Sequence, residues 1–228
     1  MAHAPKRALG IFAKQPILGQ VKTRLTAATS DQWAQQVAQA FLEDSLDRFG
    51  PVDAARIIAY APAEARTFFH AVAKGRFDLV LQTDGDLGQR LRGFFESMRR
   101  QGYTRIVVVG ADSPTLPVAH IKQAFESLEI SDVVIGPATD GGYCLIGGNE
   151  NDVPLFDGIP WSTPRVLDAT IEKARAASAR LTLLPPWYDV DTADDWAMLC
   201  GHVRAMRLAG FDPEVPRVVA LLLWPLAA

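Results

Sequence analysis

Arg105-Ile106-Val107-Val108-Val109-Gly110-Ala111-Asp112-Ser113-Pro114-Thr115-Leu116-Pro117 is the stretch whose reading decides the fold. Its apolar part is too short for a helix and rich in β-branched residues, so it reads as a buried parallel strand. Pro114 and Pro117 forbid its continuation. Asp112 therefore falls at the carboxyl end of a central strand, where open α/β sheets bind ligands. A carboxylate there suits a hard cation carrying phosphates, such as Mg²⁺ or Mn²⁺. It equally suits the cap of a turn, or of a helix beginning near Val118.

Outward from this strand, elements alternate. Ala8 to Ala13 reads as the first buried strand, and Lys14 to Gln20 as a loop marked by Pro16 and Gly19. Ser30 or Asp31 can cap a helix running to about Phe49. Strands are expected at Arg56–Tyr60, Leu79–Gln82, Asp132–Ile135, Tyr143–Ile146 and Arg180–Leu184. Helices are expected from Pro62 to Ala73, Gln89 to Arg100, Val118 to Leu128, Thr163 to Ala177 and Thr192 to Leu208. Such alternation implies an α/β domain with a mostly parallel sheet covered on both faces. A chain of 228 residues with 49% hydrophobic content supports one large domain, residues 1–210, followed by an apolar tail, 211–228. The tail is too short to span a bilayer and is expected to pack on the domain or on a second subunit, as in a homodimer.

The formal net charge of −3 argues against a nucleic-acid binder. Cys144 and Cys200 are far apart and read as free thiols of a cytoplasmic protein. No long apolar region follows the basic amino terminus, so no signal peptide is expected.

Four stretches carry candidate chemistry. Lys14, Lys22 and Arg24 follow the first strand in a loop containing Gly19, an arrangement suited to an anion, with Thr23 between the last two cations. The segment contains neither a Walker loop nor a GxGxxG turn. Gln82 to Leu91, with Gly85, Asp86, Gly88 and Arg90, can face a nucleoside or simply cap the next helix. Gly136 to Tyr143 places Asp140 before Gly141 and Gly142; Asp140 can act on an acceptor hydroxyl or close a turn. Trp161 can wall a site or fill a core. In Tyr188 to Trp196, Asp189 and Asp191 share one side if extended, while Thr192 and Asp195 resemble a helix cap. One of Asp189 or Asp191 is then available to join Asp112 at a metal.

Taken together, Ile11-Phe12-Ala13-Lys14-x-Pro16-x-x-Gly19-x-Val21-Lys22-Thr23-Arg24-Leu25, Gly85-Asp86-Leu87-Gly88-x-Arg90-Leu91, Gly110-x-Asp112-Ser113-Pro114-Thr115-Leu116-Pro117, Gly136-Pro137-Ala138-x-Asp140-Gly141-Gly142-Tyr143 and Asp189-Val190-Asp191-Thr192 resemble a glycosyltransferase-A-like family of bacterial proteins. Some of its members are associated with arsenosugar biosynthesis. The blocks run in order from about residue 8 to 196.

The resemblance implies the three-layer nucleotide-diphospho-sugar transferase fold, Mg²⁺ or Mn²⁺, and a nucleotide-sugar donor with a small-molecule acceptor. Carried over, Asp112 with Asp191 or Asp189 holds the metal, and Lys14, Lys22 and Arg24 neutralise phosphate. Residues from Gly85 to Arg90 face the nucleoside; Asp140, Gly141, Gly142, Tyr143 and Trp161 face the acceptor. The Lys22-Thr23-Arg24-Leu25 block is also similar to one in guanylyltransferases of the same fold, which use a nucleoside triphosphate and release pyrophosphate. Gln15 to Lys22 is poorer in glycine than the sugar pyrophosphorylase loop. A nucleotide-binding protein without catalysis is the remaining alternative.

Overall fold

The computed structural model describes residues 6–26 and 29–222. Seven strands form one sheet, ordered β3-β2-β1-β4-β6-β5-β7. They are β1 (Arg7–Lys14), β2 (Ala55–Ala61), β3 (Asp78–Leu81), β4 (Arg105–Gly110), β5 (Val133–Pro137), β6 (Tyr143–Asn149) and β7 (Leu181–Leu183). All neighbours pair in parallel except β6, which runs antiparallel to both β4 and β5. The expected mostly parallel α/β sheet is what the chain forms. The reversal of β6 follows from a hairpin: β5 and β6 are joined by a short turn, too short for a parallel crossover.

Alternation along the central strands divides the interior into two layers. Leu9, Ile11, Val107 and Val109 face one side with Leu42, Leu46 and Phe49 of α2 (Asp31–Phe49), Phe69 of α3 (Arg66–Ala73), and Ile121 and Phe125 of α5 (Val118–Ser127). Ala8, Ile106 and Val108 face the other, against Leu91, Phe94, Phe95 and Met98 of α4 (Leu87–Arg100) and Ala174 of α6 (Val166–Ala176). Gly10 belongs to this second face, and a Cβ there would lie 2.5 Å from the Phe94 ring. The missing side chain lets α4 sit close over β1.

A third cluster lies behind α2. Trp33, Val37 and Phe41 pack against Trp196, Leu199 and Val203 of α7 (Ala193–Leu208), and against Val218 and Val219 of α8 (Pro216–Leu222). Sequence reading gave the tail no helix, and the last six residues of the tail lie outside the described residues. The signal for α8 is tertiary: Asp44, buried in mid-α2, accepts the backbone N–H groups of Arg217 and Val218, and so caps α8 from another helix.

Helix starts follow local side-chain chemistry. Ser30 Oγ accepts from Trp33 N at 3.2 Å, and Thr192 with Asp195 forms a reciprocal capping box at α7. The expected helix at Thr163 begins only at Val166, because Thr163 Oγ1 donates back to Pro160 O at 2.7 Å and holds a turn there. Among the described residues no helix is long and apolar enough to cross a membrane.

Candidate active site

The carboxyl ends of β1, β4 and β5 and the amino end of β6 meet at one edge of the sheet, a consequence of the parallel order and the one reversed strand. A cavity of about 660 Å³ opens there, lined by residues from the ends of β1, β4 and β6, by the start of α4, and by the segment after β7. This is the size range of small-molecule sites. Two backbone hydrogen bonds hold the last segment in place. Trp187 N donates to Pro137 O at 2.9 Å, and Val190 N donates to Asp112 O at 3.0 Å. The second draws the 189–191 segment directly against the end of β4.

Asp112 and Asp191 therefore converge, and what they converge on is Lys22. The Lys22 ammonium donates to Asp191 Oδ1 and to the Val190 carbonyl, both at 2.8 Å, and is ion-paired with Asp112. It also lies 5.4 Å from the Phe41 ring centroid. The lysine side chain is 5% exposed, while those of Asp112 and Asp191 are 56% and 46% exposed toward the cavity. Burial works against the ammonium, but the charges of Asp112 and Asp191 more than offset it and raise its pKa. Lys22 reaches this position with a left-handed backbone, φ 48°, unusual for a residue with a side chain.

Asp189 takes a different place from Asp191. It lines the cavity and its carboxylate accepts a hydrogen bond from the buried hydroxyl of Ser113. Burial pushes its carboxyl up to about 6, helped by the charges of Asp112, Asp140 and Asp191 and opposed by the Ser113 hydrogen bond. Cys144 lies in the same wall; burial first, then Asp189 and Asp140, push its thiol up to about 12, so it stays protonated.

The remaining candidates divide. Lys14, at the end of β1, and Arg90, in the first turns of α4, line the cavity and pair with no carboxylate among the described residues. Arg90 Nε donates to Gly85 O at 2.9 Å, which ties the guanidinium to the 83–88 turn. Gln82 and Gly85 line the cavity, with the Gln82 amide nitrogen donating to Ala59 O at 2.7 Å. Asp86 also lines it, but its carboxylate accepts Gln89 N at 2.8 Å and forms the capping box of α4. Gly88 sits behind the wall: a Cβ there would lie 2.6 Å from Phe156 O and 2.7 Å from Trp161 Nε1.

Thr23 and Arg24 lie in α1 (Thr23–Thr26), exposed and outside the cavity lining. The helical turn that follows Lys22 carries them away from the wall that Lys22 enters.

On the other side, Tyr143 and Trp161 line the cavity, ring centroids 6.4 Å apart and nearly perpendicular. The Tyr143 hydroxyl is buried, and burial raises its pKa. Asp140 is exposed and accepts Gly142 N at 2.8 Å, closing the turn between β5 and β6. Gly141 has φ +89°, and a Cβ there would lie 2.3 Å from Pro164 O, so the turn needs glycine. Asp140, Gly141 and Gly142 shape this turn without lining the cavity.

Sequence reasoning offered Trp161 and Ser162 as a wall, and both line the cavity; it gave no site role to the wall residue Phe12 or to Ser113, which stands behind the lining. Phe12 lies one residue from Ile11, so strand alternation already placed it on the opposite face. Ser113, the partner of Asp189, was visible only as half of a Ser-Pro turn. Ser162, beside Trp161, carries a positive φ of 62° that its residue type does not announce.

Among the described residues, no group of three or more His, Cys, Asp or Glu side chains is disposed to hold a metal ion. Two carboxylates nevertheless reach one positive centre, and both are hard oxygen donors facing the cavity. That donor set fits a cation which takes one or two protein carboxylates and completes its shell with phosphate oxygens and water.

Residues 47–163 match the family model described as uncharacterized protein conserved in bacteria, DUF2064. A crystal structure from Desulfovibrio desulfuricans G20, provisionally described as a nucleotide-diphospho-sugar transferase, is 31% identical with TM-score 0.87, covering 96% of this chain and 97% of that one. A cytidylyltransferase from Leptospira borgpetersenii shares the fold at TM-score 0.59 and 11% identity, over 96% of this chain and 94% of that one. A 4-diphosphocytidyl-2C-methyl-D-erythritol synthase from Anaerococcus prevotii does so at TM-score 0.60 and 9% identity, over 88% and 99%. No curated protein matches. With a family model spanning half the chain and a near full-length relative of the same build, this chain belongs to the DUF2064 family.

Proposed function

We propose that the protein is a metal-dependent transferase acting on a nucleotide-activated donor, a nucleotide-diphospho-sugar. The observation that carries this reading is the convergence of Asp112 and Asp191, from segments far apart in sequence, on one positive centre in a cavity that also presents Lys14 and Arg90. The relative described as a nucleotide-diphospho-sugar transferase supports the choice of donor.

Asp112 and Asp191 would hold Mg²⁺ or Mn²⁺. Bound there, such an ion supplies positive charge to a leaving diphosphate. Lys14 and Arg90 bind the diphosphate beside them, Arg90 offering a planar donor edge and Lys14 a point charge. The 82–90 turn and helix start face the nucleoside. Tyr143 and Trp161 present aromatic surface to the acceptor, and Asp140 receives the proton of its hydroxyl as the oxygen attacks the anomeric carbon and the nucleoside diphosphate departs. Asp189, which pairs with no basic side chain among the described residues, stays on Ser113.

Thermal shift with nucleoside diphosphates and sugar nucleotides, with and without Mn²⁺, tests the reading. Stabilisation by at least one nucleotide, enhanced by Mn²⁺, is expected; none at millimolar concentration would overturn it. Turnover that releases pyrophosphate from a nucleoside triphosphate, with no nucleoside diphosphate from a sugar nucleotide, would replace glycosyl by nucleotidyl transfer.

A further inference from the structure

Lys22 does something that phosphate binding alone does not require. Its three ammonium hydrogens have three acceptors within the protein: the Val190 carbonyl, Asp191 and Asp112. The Phe41 ring covers it on a further side, and its side chain is almost wholly buried. The two carboxylates it neutralises are about half exposed and face the cavity. A cation already sits where a divalent ion would be taken up.

We propose that Lys22 is the resident counter-cation of the Asp112–Asp191 pair and keeps divalent ions off these carboxylates in the nucleotide-free protein. A divalent ion bound to the same oxygens would lie within a few ångströms of the ammonium, and like charges that close in a partly buried site repel strongly. Only an incoming anion removes the conflict, by giving the ammonium a new partner. The four-carbon stem of lysine allows that movement, whereas Asp112 and the 189–191 segment are fixed by the bond from Val190 N to Asp112 O. Lys14 and Arg90, which have no carboxylate partners among the described residues, are placed to receive the anion first. Metal and diphosphate then enter together. This last step rests on the transferase reading; the blocking role of Lys22 does not.

The full-length chain is titrated with Mn²⁺, following the free-ion signal by electron paramagnetic resonance. The wild type is compared with Lys22→Met, which keeps the apolar stem, and with Lys22→Gln, which keeps a polar tip. Wild type is expected to bind weakly, and either folded variant to bind one ion at least about tenfold more tightly. Adding Asp112→Asn to the variant is expected to abolish the gain. Affinities unchanged in both variants, or a gain that survives Asp112→Asn, overturn the proposal. Thermal shift of the wild type with ADP, CDP, GDP and UDP separates the two readings. A gain of ion binding without any nucleotide effect leaves Lys22 in its role and rejects the transferase. Nucleotide binding without a gain in the variants rejects the role of Lys22 alone.

Discussion

Two clusters among the described residues, in each of which one cation serves several acids, are finished differently. Behind α2, Arg217 pairs with Asp44, Asp47 and Glu43, and the fully buried Asp44 also accepts two backbone N–H groups of α8. Burial raises the Asp44 pKa, with the Val218 and Arg217 hydrogen bonds opposing it. None of these four side chains lines the cavity at the sheet edge. At the sheet edge, the Lys22 side chain is more deeply enclosed than that of Arg217, and its acids turn toward a cavity of about 660 Å³. A closed cluster fastens one helix to another. An open one keeps acceptor capacity in reserve, and that reserve is what a ligand can use.

Substitutions that treat the clusters alike should separate them. The largest effect expected is on turnover: Asp112→Asn should reduce kcat/KM about 100-fold or more, on the order of 3 kcal/mol of transition-state stabilisation, with little change in the unfolding midpoint. Steady-state kinetics beside urea unfolding checks this, and a large drop in the unfolding midpoint with normal turnover would reverse the assignment of the two clusters. Next, Asp44→Ala should cost about 3 kcal/mol of stability by urea unfolding, because it strands Arg217 and the start of α8 together, while substrate affinity is unchanged.

A smaller effect is expected at Asp189, whose carboxyl is pushed up to about 6 in the folded chain, above its ordinary value. Between the two values the folded state holds the proton more tightly than the unfolded chain. This group's stabilising contribution is complete at low pH and is lost as pH rises through about 6. Asp189→Asn should therefore stabilise the protein by roughly 1–3 kcal/mol more at pH 8 than at pH 4, read from thermal melts at both. An equal effect at both values would show that Asp189 is not charged at the cost assigned to it. The smallest effect marks the baseline: Arg92→Ala, which breaks the exposed ion pair with Asp157, should change stability by less than about 0.5 kcal/mol.

Much of this was legible in the chain. Val107 to Val109 announced a buried strand because β-branched residues ran uninterrupted to a glycine, and Asp112 fell where such strands end. The Thr192–Asp195 and Asp86–Gln89 caps were written in residues three apart. The direction of β6 and the helix of the tail were not, because both depend on partners distant in sequence. Lys22 shows the limit most clearly. Its neighbours marked it as a loop cation beside Lys14 and Arg24, yet a left-handed backbone turns it inward and Arg24 outward. No local pattern distinguishes the two, since the deciding acceptors are some 90 and 169 residues away.

Because β6 runs against its neighbours, the turn from Pro137 to Tyr143 hangs as a short fringe over the edge that carries Lys14 and Gly110. A parallel return would have required a dozen or more residues and a helix packed on the sheet. The fringe can lengthen or shrink while every strand keeps its register. The shape of that side of the cavity is thus set by the turn rather than by the register of the strands beneath it.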